Sequence, residues 1–198
     1  MKNNNPMSSS PRLCFVGPMI GRNPGNVTMQ GLILSELFKK SGYRVTTASA
    51  LLNRYGRLAD IVWQLVRSRR RVDILIIEVY GGPSFVVEDI ASWLGRRFGH
   101  RVIMWLHGGA LPEFIARFPK WTNRVLSRAD TLVAPSEFLA RAVSRHGFQA
   151  RVVPNVIELP VYPYNRRDSA APRMFWMRCF HPIYNPELAL RTLARIRK

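Results

Sequence analysis

Short apolar runs alternate along the chain with longer stretches in which apolar residues recur at helical spacing. The runs predict strands that are buried on both faces, and the longer stretches predict amphipathic helices. The predicted strands are Leu13–Val16, a strand that begins at Val45, Asp73–Val79, Arg101–Leu106, Thr131–Ala134, Arg151–Val153 and Met174–Met177.

The predicted helices lie between these strands, and capping residues mark their ends. Ser84 and Ser136 are predicted N-terminal caps, and Gly42, Gly99 and Gly147 follow last turns, where a left-handed residue ends a helix. The predicted helices are Thr28–Lys40, Arg57–Arg69, Ser84 to about Phe98, a helical stretch from Phe114 to Arg128 interrupted at Pro119, Ser136–His146, and Pro186–Arg197.

The segment from residue 12 to residue 47 joins a strand, a glycine-rich loop, a helix and the start of a second strand. In the loop, Gly17, Gly21 and Gly25 alternate with prolines. Such a βαβ unit opens a doubly wound sheet, which binds ligands at the carboxyl ends of its strands. Glycine N–H groups and a helix N-terminus suit a phosphate or a sugar, whereas a mobile surface loop is the alternative. The apolar face of the helix is predicted to contain Leu32, Ile33, Leu37 and Phe38.

Strand and helix alternate through residues 12–157, which predicts one Rossmann-like α/β domain: a parallel sheet with helices on both faces. Residues 1–11 are expected to be a disordered tail. Residues 158–173 combine prolines with polar residues and predict a linker. Residues 174–198 hold one predicted strand and one helix, so we expect them to begin a second, incomplete domain.

The net charge of +18, on 198 residues of which 47% are hydrophobic, is the unusual feature of the composition. Arginines cluster at residues 69–71, 96–97 and 166–167. The first two clusters fall at predicted helix C-termini. The first interpretation is therefore that they are solvated helix ends, where the helix dipole favours cations. Attraction to an anionic lipid surface is the second interpretation. Nucleic acid is disfavoured because no helix-turn-helix, zinc or aromatic RNA-binding signature accompanies the charge.

The remaining compositional signals concern the cellular setting. No apolar stretch approaches the roughly 20 residues needed to span a bilayer, and the polar N-terminus is not a secretory signal. Cys14 and Cys179 lie in predicted strands without the spacing of a disulfide framework. We therefore expect a cytoplasmic protein. If the positive charge attracts an anionic lipid surface, the protein would also contact the inner membrane face peripherally.

His107, Gly108 and Gly109 follow a predicted strand directly, at the end where parallel sheets contact ligands. A histidine here donates a hydrogen bond to a sugar or a phosphate, and the two glycines leave room for it. The alternative is a buried histidine bonded to a carbonyl, with the glycines serving a tight turn. His107 is the candidate catalytic residue.

Two further sets of side chains are weaker candidates. Arg178 precedes His181 between the last strand and the last helix, where it suits the rim of a phosphate pocket or plain solvent. The spacing excludes G-x-G-x-x-G, a P-loop, H-E-x-x-H and paired Cys-x-x-Cys motifs. The available carboxylates, which the sequence does not pair, are Glu78, Glu88, Asp89 and Glu113.

Four segments in order resemble glycosyltransferase family 4, the retaining nucleotide-sugar enzymes of the GT-B fold. They are GRNPGNVTMQGLILSELFKKSGYRVTTAS (21–49), the block 73–109 that ends in WLHGG, ADTLVAPSEFLARAVSRHGF (129–148), and VVPNVIEL (152–159) leading into FWMRCFHPIYNPELALRTLARI (175–196). The resemblance implies an N-terminal acceptor-side domain and the start of a donor-binding domain. The implied pathway is envelope or exopolysaccharide synthesis.

The resemblance also implies residue roles. Gly25 and Asn26 match the acceptor-side glycine loop that approaches the donor diphosphate, and His107 matches the histidine that contacts the transferred sugar. Arg178 matches the arginine of the donor phosphate clamp. The implied partners are a nucleotide-sugar donor and a glycan or lipid-linked acceptor, with no nucleic acid, no cofactor and no obligatory metal.

Three departures from the family pattern concern the donor half of the site. Tyr184 and Asn185 stand where the family has a Lys-Gly pair, and Met177 replaces the glycine before Arg178. The family's Glu-x7-Glu region would lie beyond Lys198, so we expect inefficient transfer without a complementing C-terminal half, supplied for example by another chain. A fragment, one half of a split enzyme and a relative retained for binding all stay open.

Overall fold

The computed structural model describes residues 10–19, 29–157, 159, 164–166, 173–177 and 180–196. The chain divides into two compact units, Met1–Ile157 and Glu158–Lys198. The assignment of these units as an acceptor-side domain and the start of a donor-binding domain stays a prediction, as do the tail and the linker.

The first unit contains a parallel sheet of six strands in the order β2-β1-β3-β4-β5-β6. The predicted fold class, a Rossmann-like α/β sheet, is therefore confirmed. The apolar runs form the strands because both faces of a parallel sheet are covered. The strands are β1 (Leu13–Val16), β2 (Val45–Ala48), β3 (Ile74–Val79), β4 (Arg101–Leu106), β5 (Thr131–Ala134) and β6 (Ala150–Val152).

The helices follow the predicted order. In the first unit they are α1 (Gln30–Lys40), α2 (Arg54–Ser68), α3 (Phe85–Arg97), α4 (Leu111–Arg117), α5 (Pro119–Leu126) and α6 (Glu137–Ser144), and in the second unit α7 (Pro186–Ile196). The interruption at Pro119 is confirmed. The start of α2 was predicted too late, because the side chain of Asn53 accepts hydrogen bonds from the N–H groups of Tyr55 and Gly56 and caps the helix there.

Two of the predicted caps have different outcomes. The side chain of Ser136 accepts a hydrogen bond from Leu139 N–H at 3.5 Å, as predicted. Ser84 does precede α3, but its side chain makes no capping hydrogen bond, so that part of the prediction is wrong. A capping residue needs an extended backbone, but the backbone of Ser84 is already in the right-handed helical region. Gly99 ends α3 with a φ of +77°, as predicted.

Helices cover both faces of the sheet, with a hydrophobic cluster on each side. On one face, α1 packs over β1 and β3, where Phe15 and Ile76 are buried against Phe38. On the other face, α2 to α6 cover a larger cluster that contains Ile61, Leu65, Phe85, Met104, Leu126 and Val143. The right-handed crossovers of a doubly wound sheet explain this division, because the chain changes face when it passes from β2 to β3.

The contact between α1 and the sheet differs from the predicted apolar face. Its buried residues are the small Gly31 and Ser35, and Leu34 and Phe38 pack beside them. Leu32, Ile33 and Leu37 are only partly buried. Small residues at the contact let the helix approach β1 and β3 closely, which is what positions its first turn at the candidate site.

The described residues of the second unit include none that is buried. Its helix α7 has no buried residue, and Leu188, Leu190 and Leu193 are all exposed. The predicted strand Met174–Met177 is wrong, since these residues form neither a helix nor a strand. A single strand needs a partner, and the described part of this unit offers it none. Among the described residues, no helix combines the length and the hydropathy needed to cross a membrane.

Candidate functional site

The order of the strands reverses at β1. From β1 the chain moves outward to β2, and then it crosses back to form β3 on the other side of β1. The carboxyl ends of β1 and β3 are therefore adjacent, and the loops that follow them leave in opposite directions. Open α/β sheets bind ligands in the crevice between two such loops. Gly17 follows β1 at this point, and Glu78 lies near the end of β3.

Glu78 is an acidic side chain inside the protein at this crevice. It is 1% exposed, and its Oε1 accepts a hydrogen bond from Gly31 N–H in the first turn of α1 at 2.7 Å. A Cβ added at Gly17 would lie 2.5 Å from Glu78 Oε2, and one added at Gly31 would lie 2.6 Å from Oε1. Both glycines are thus required for the carboxyl group to fit between β1 and α1.

His107 lies beside Glu78 at the end of β4. Its backbone N–H donates to the carbonyl of Val79 at 2.8 Å, and its side chain is 6% exposed. The imidazole lies between two aromatic rings: Tyr80 stacks on it at 5.0 Å, and Trp105 is tilted against it at 5.1 Å. Its Nε2 is 3.6 Å from Glu78 Oε1. The two rings and the carboxyl group fix the orientation of the imidazole.

Burial shifts the pKa of both of these titratable groups in favour of their neutral forms. Desolvation raises the pKa of Glu78 to about 7, against a smaller lowering effect of the hydrogen bond from Gly31. Desolvation also lowers the pKa of His107 to about 4. Around neutral pH the imidazole is therefore uncharged and has one N–H donor, which suits a sugar hydroxyl better than a phosphate.

Glu88 is a second buried acid nearby. Its Oε1 accepts a hydrogen bond from Tyr80 N–H at 3.0 Å, and so fixes the backbone that carries the Tyr80 ring. Burial is the main cause that raises the pKa of Glu88 to about 8, and the charge of Glu78 adds to it. Four buried side-chain atoms in this region have no hydrogen-bond partner in the described structure: Glu78 Oε2, Glu88 Oε2, Trp105 Nε1 and His107 Nε2.

The residues predicted for the site divide into two groups. His107 lies at the carboxyl edge as expected, with Gly108 and Gly109 directly after it in the turn towards α4. Gly108 has a φ of +81°, and a Cβ added at either glycine would meet nothing within 4 Å, so this turn borders open space. Gly25, Asn26 and Arg178 lie outside the described residues. The roles assigned to all of these residues stay predictions.

The sequence did not predict that Glu78 lies beside His107. The signal was available, because a carboxylate in the apolar run Ile74–Val79 must be buried with the strand. Its neighbour His107 comes 29 positions later, and only the pairing of β3 with β4 brings the two together. Asp89 has different partners, since its carboxylate binds Arg124 and Arg128.

Within the part of the chain that the structure describes, no group of three or more His, Cys, Asp or Glu side chains is placed to hold a metal ion. The site therefore consists of a neutral imidazole, a buried carboxyl group and the N-terminal turn of α1. Groups of this kind can form hydrogen bonds to a polar ligand, and here they lie at the reversal point of a doubly wound sheet.

This combination defines a Rossmann-like binding domain whose ligand edge presents a histidine. The chain belongs to the family of glycosyl transferase 4-like domains, whose family model matches residues 40–156, more than half of the chain. The predicted family is thus confirmed, and sugar donors and acceptors in general are its substrates. No curated protein matches the chain.

Proposed function

We propose that this domain takes part in the transfer of a sugar from a nucleotide-sugar donor to a glycan or lipid-linked acceptor, with retention at the anomeric carbon. The observation that carries the proposal is the uncharged imidazole of His107, held beside Glu78 where the order of the strands reverses. The pathway that we propose is envelope or exopolysaccharide synthesis.

His107 has the properties that a contact to the transferred sugar requires. A neutral imidazole donates one hydrogen bond to a hydroxyl group without the desolvation cost of a charge. Glu78 acts through His107 as a positioning residue, because its carboxyl group lies 3.6 Å from the imidazole and is itself held by Gly31. The ring therefore needs little reorientation when a sugar binds.

The remaining roles follow the family resemblance. Gly25 and Asn26 would approach the donor diphosphate, Gly108 and Gly109 would leave room for the sugar, and Arg178 would bind the donor phosphates. Developing charge on the departing nucleotide diphosphate would be stabilised by arginine and by a helix N-terminus. In this mechanism no metal and no cofactor is obligatory.

The test is saturation-transfer NMR of the full chain with a panel of nucleotide sugars and saccharides, a method that detects weak complexes. We expect magnetisation transfer to sugar protons in the wild type, and its loss in His107→Ala because the hydrogen bond and the ring contacts are removed. His146→Ala is the matched control, since His146 is an exposed histidine on the same unit.

Equal signals from wild type and His107→Ala would remove His107 from sugar binding. Sugar transfer with a donor-binding half supplied in trans is the second measurement. There we expect His107→Ala to lose activity by about 100-fold, the effect typical of one well-placed group in a transition state. Unchanged turnover would contradict the proposed role.

A second candidate function, a binding module that contacts an anionic membrane surface, is favoured by the outer face of α2 and α3. Trp63 on α2 is 63% exposed, and Trp93 on the adjacent α3 is 55% exposed. Arg67, Arg96 and Arg97 occupy the last turns of the same two helices. Exposed tryptophans beside arginines are typical of surfaces that bind the lipid headgroup region.

This second function is tested by sedimentation with lipid vesicles. We expect binding to vesicles that contain phosphatidylglycerol and not to pure phosphatidylcholine, with a loss of binding in Trp63→Ala/Trp93→Ala. Phe138→Ala removes an aromatic side chain of similar exposure, 64%, from another helix and is the control. Equal binding by the double variant would exclude this face.

A further inference from the structure

An apolar cavity of about 490 Å³ opens beside the histidine site. It lies between the loop after β3 and the helices α4 and α5, at the ligand-binding edge of the sheet. Gly81, at one end of it, follows Tyr80, the residue whose ring stacks on His107. The lining includes Gly81, Pro83, Ala110, Phe114, Phe118 and Trp121. We call this cavity the aromatic groove.

The floor of the aromatic groove is a rigid set of packed rings. Phe114 lies 5.0 Å from both Phe85 and Phe118, and Trp121 lies 5.0 Å from Phe85 at a right angle to it. Phe85 is fully buried, so the cluster is anchored in the core. Preformed cavities of this size with mostly apolar walls are typical small-molecule sites.

One cation lies in the lining of the aromatic groove, and a second lies in a neighbouring cavity. Arg117 lines the groove, with its guanidinium 5.5 Å from the centre of the Phe118 ring, and Lys120 lines a second cavity of about 430 Å³ that shares Trp121 with the groove. No ion pair to either cation is present among the described residues. The carboxylate of Asp89 in the second cavity is already bound by two arginines. Glu113 is the carboxylate in the lining of the groove itself.

This chemistry selects a ligand with an apolar chain and an anionic group. A saccharide would bring hydroxyl groups against a wall of rings that offers them few hydrogen bonds, and this costs free energy. An isoprenoid or acyl chain loses no hydrogen bonds there, and a phosphate at its end can pair with Arg117 in the lining and Lys120 in the neighbouring cavity.

We infer that the aromatic groove binds the hydrocarbon chain of a phosphate-bearing lipid acceptor, with its phosphate at Arg117 and Lys120. The inference rests on the proposed function and narrows it, since it assigns the acceptor to the class of lipid-linked phosphates. The groove also lies next to the sugar site, since its lining residue Gly81 directly follows Tyr80, whose ring stacks on His107.

The test is calorimetric titration of the full chain with farnesyl diphosphate, with farnesol, which lacks the phosphates, and with inorganic pyrophosphate, which lacks the chain. We expect farnesyl diphosphate to bind at least about tenfold tighter than either of the other two compounds, because both halves of the ligand contribute. Phe118→Ala should weaken binding of farnesyl diphosphate and farnesol alike. Glu113→Gln should strengthen binding of the diphosphate.

Two charge variants test whether farnesyl diphosphate binds at the aromatic groove or through the general positive charge of the protein. Arg117→Glu/Lys120→Glu should weaken farnesyl diphosphate binding by about tenfold or more, whereas Arg70→Glu/Arg71→Glu, with the same net charge at the opposite edge of the sheet, should change it less than about twofold. All four side chains are exposed, and circular dichroism verifies that the variants fold.

Several results would overturn the inference. They are equal loss of binding in the two charge variants, equal affinity for pyrophosphate and farnesyl diphosphate, no binding of farnesyl diphosphate, or binding that Phe118→Ala leaves unchanged. These titrations involve neither a nucleotide sugar nor His107. A failure here therefore leaves the sugar site untouched, and loss of the sugar site with intact farnesyl diphosphate binding would leave the groove as a lipid site.

Discussion

The two edges of the parallel sheet carry acidic residues in opposite ways. At the amino edge, Asp73 binds Arg12 through both carboxylate oxygens, and Asp130 binds Arg96 and the N–H of Val102. These carboxylates are exposed to water and ionised. At the carboxyl edge, Glu78 and Glu88 are buried and have no arginine partner in the described structure.

The exposed and the buried carboxyl groups have different effects on the stability of the domain. The ion pair of Arg12 with Asp73 joins the starts of β1 and β3, and that of Arg96 with Asp130 joins α3 to the start of β5, both at little cost because water solvates their charges. A buried carboxyl group without a cationic partner lowers stability, and a fold carries such groups at sites where they serve ligands or orient other residues. This difference supports the proposed site at the carboxyl edge, and variants at both edges test the contrast.

The largest expected effect comes from closing the space around Glu78. Gly31→Ala puts a methyl group 2.6 Å from its Oε1 and 3.0 Å from the Met19 side chain, which overpacks the crevice and displaces the hydrogen bond from Gly31 N–H. We expect the free energy of unfolding to fall by about 3 kcal/mol, even after the gain in helix propensity. Urea unfolding measures it.

Gly109→Ala is the control for this prediction. It lies at the same edge, but its added Cβ meets nothing within 4 Å, so we expect a change within about 0.5 kcal/mol. Similar losses in both variants would mean that the crevice between β1 and α1 is not tightly packed around Glu78.

The next effect is a pH dependence from Glu78. Its pKa rises from 4.5 in the unfolded chain to about 7 in the folded domain, so folding retains a proton that the unfolded chain releases. This favourable contribution is complete below pH 4.5 and is lost as the pH rises through 7, at about 1.4 kcal/mol per pH unit. Glu78→Gln should match the wild type near pH 5 and exceed its stability by about 2 kcal/mol at pH 8.

The comparison of unfolding curves at the two pH values checks this sign. His107 and Glu88 also titrate in this region, but they are present in both proteins and largely cancel in the difference. Glu137→Gln, which replaces an exposed glutamate on α6, is the control variant. A Glu78→Gln variant that is less stable than wild type at pH 8 would show that the carboxylate is stabilised there.

The smallest effect is expected at the amino edge. The hydrogen bonds from Arg12 lower the pKa of Asp73 to about 2, so its contribution is present above pH 3.8 and is lost as the pH falls through 2. Because both partners are partly exposed, Asp73→Asn should cost less than about 1 kcal/mol at pH 7. A loss as large as that of Gly31→Ala would remove the contrast between the two edges.

Particular elements show how far the sequence alone could predict the fold. The run that became β3 and the loop position of His107 were readable, because strand polarity and apolar periodicity are local properties. The start of α2 at Arg54 was missed, since the cap at Asn53 moves the boundary three residues earlier without changing the periodicity. The strand at Met174–Met177 was wrong because β structure depends on a partner strand, which a local pattern does not reveal.

The candidate site was predicted in the same uneven way. His107 was identified from its place after a strand, but its neighbours were not, since Tyr80 and Glu78 reach it only through the pairing of β3 with β4. The exposure of Trp63 and Trp93 was also unpredictable, because a helix pattern fixes which residues share a face and not how much of that face the fold covers.

The sequence by itself determined that this chain alternates strands and helices, belongs to a doubly wound class and carries a histidine at a strand's end. Hydrogen bonds within helices and the burial of apolar runs are set by residues close together in the chain. Only the tertiary structure decided that Glu78 and His107 meet, that burial disfavours the charged form of each, and that an aromatic groove opens beside them. Contacts and desolvation of this kind arise between residues far apart in sequence, and they exist only once the strands are in order.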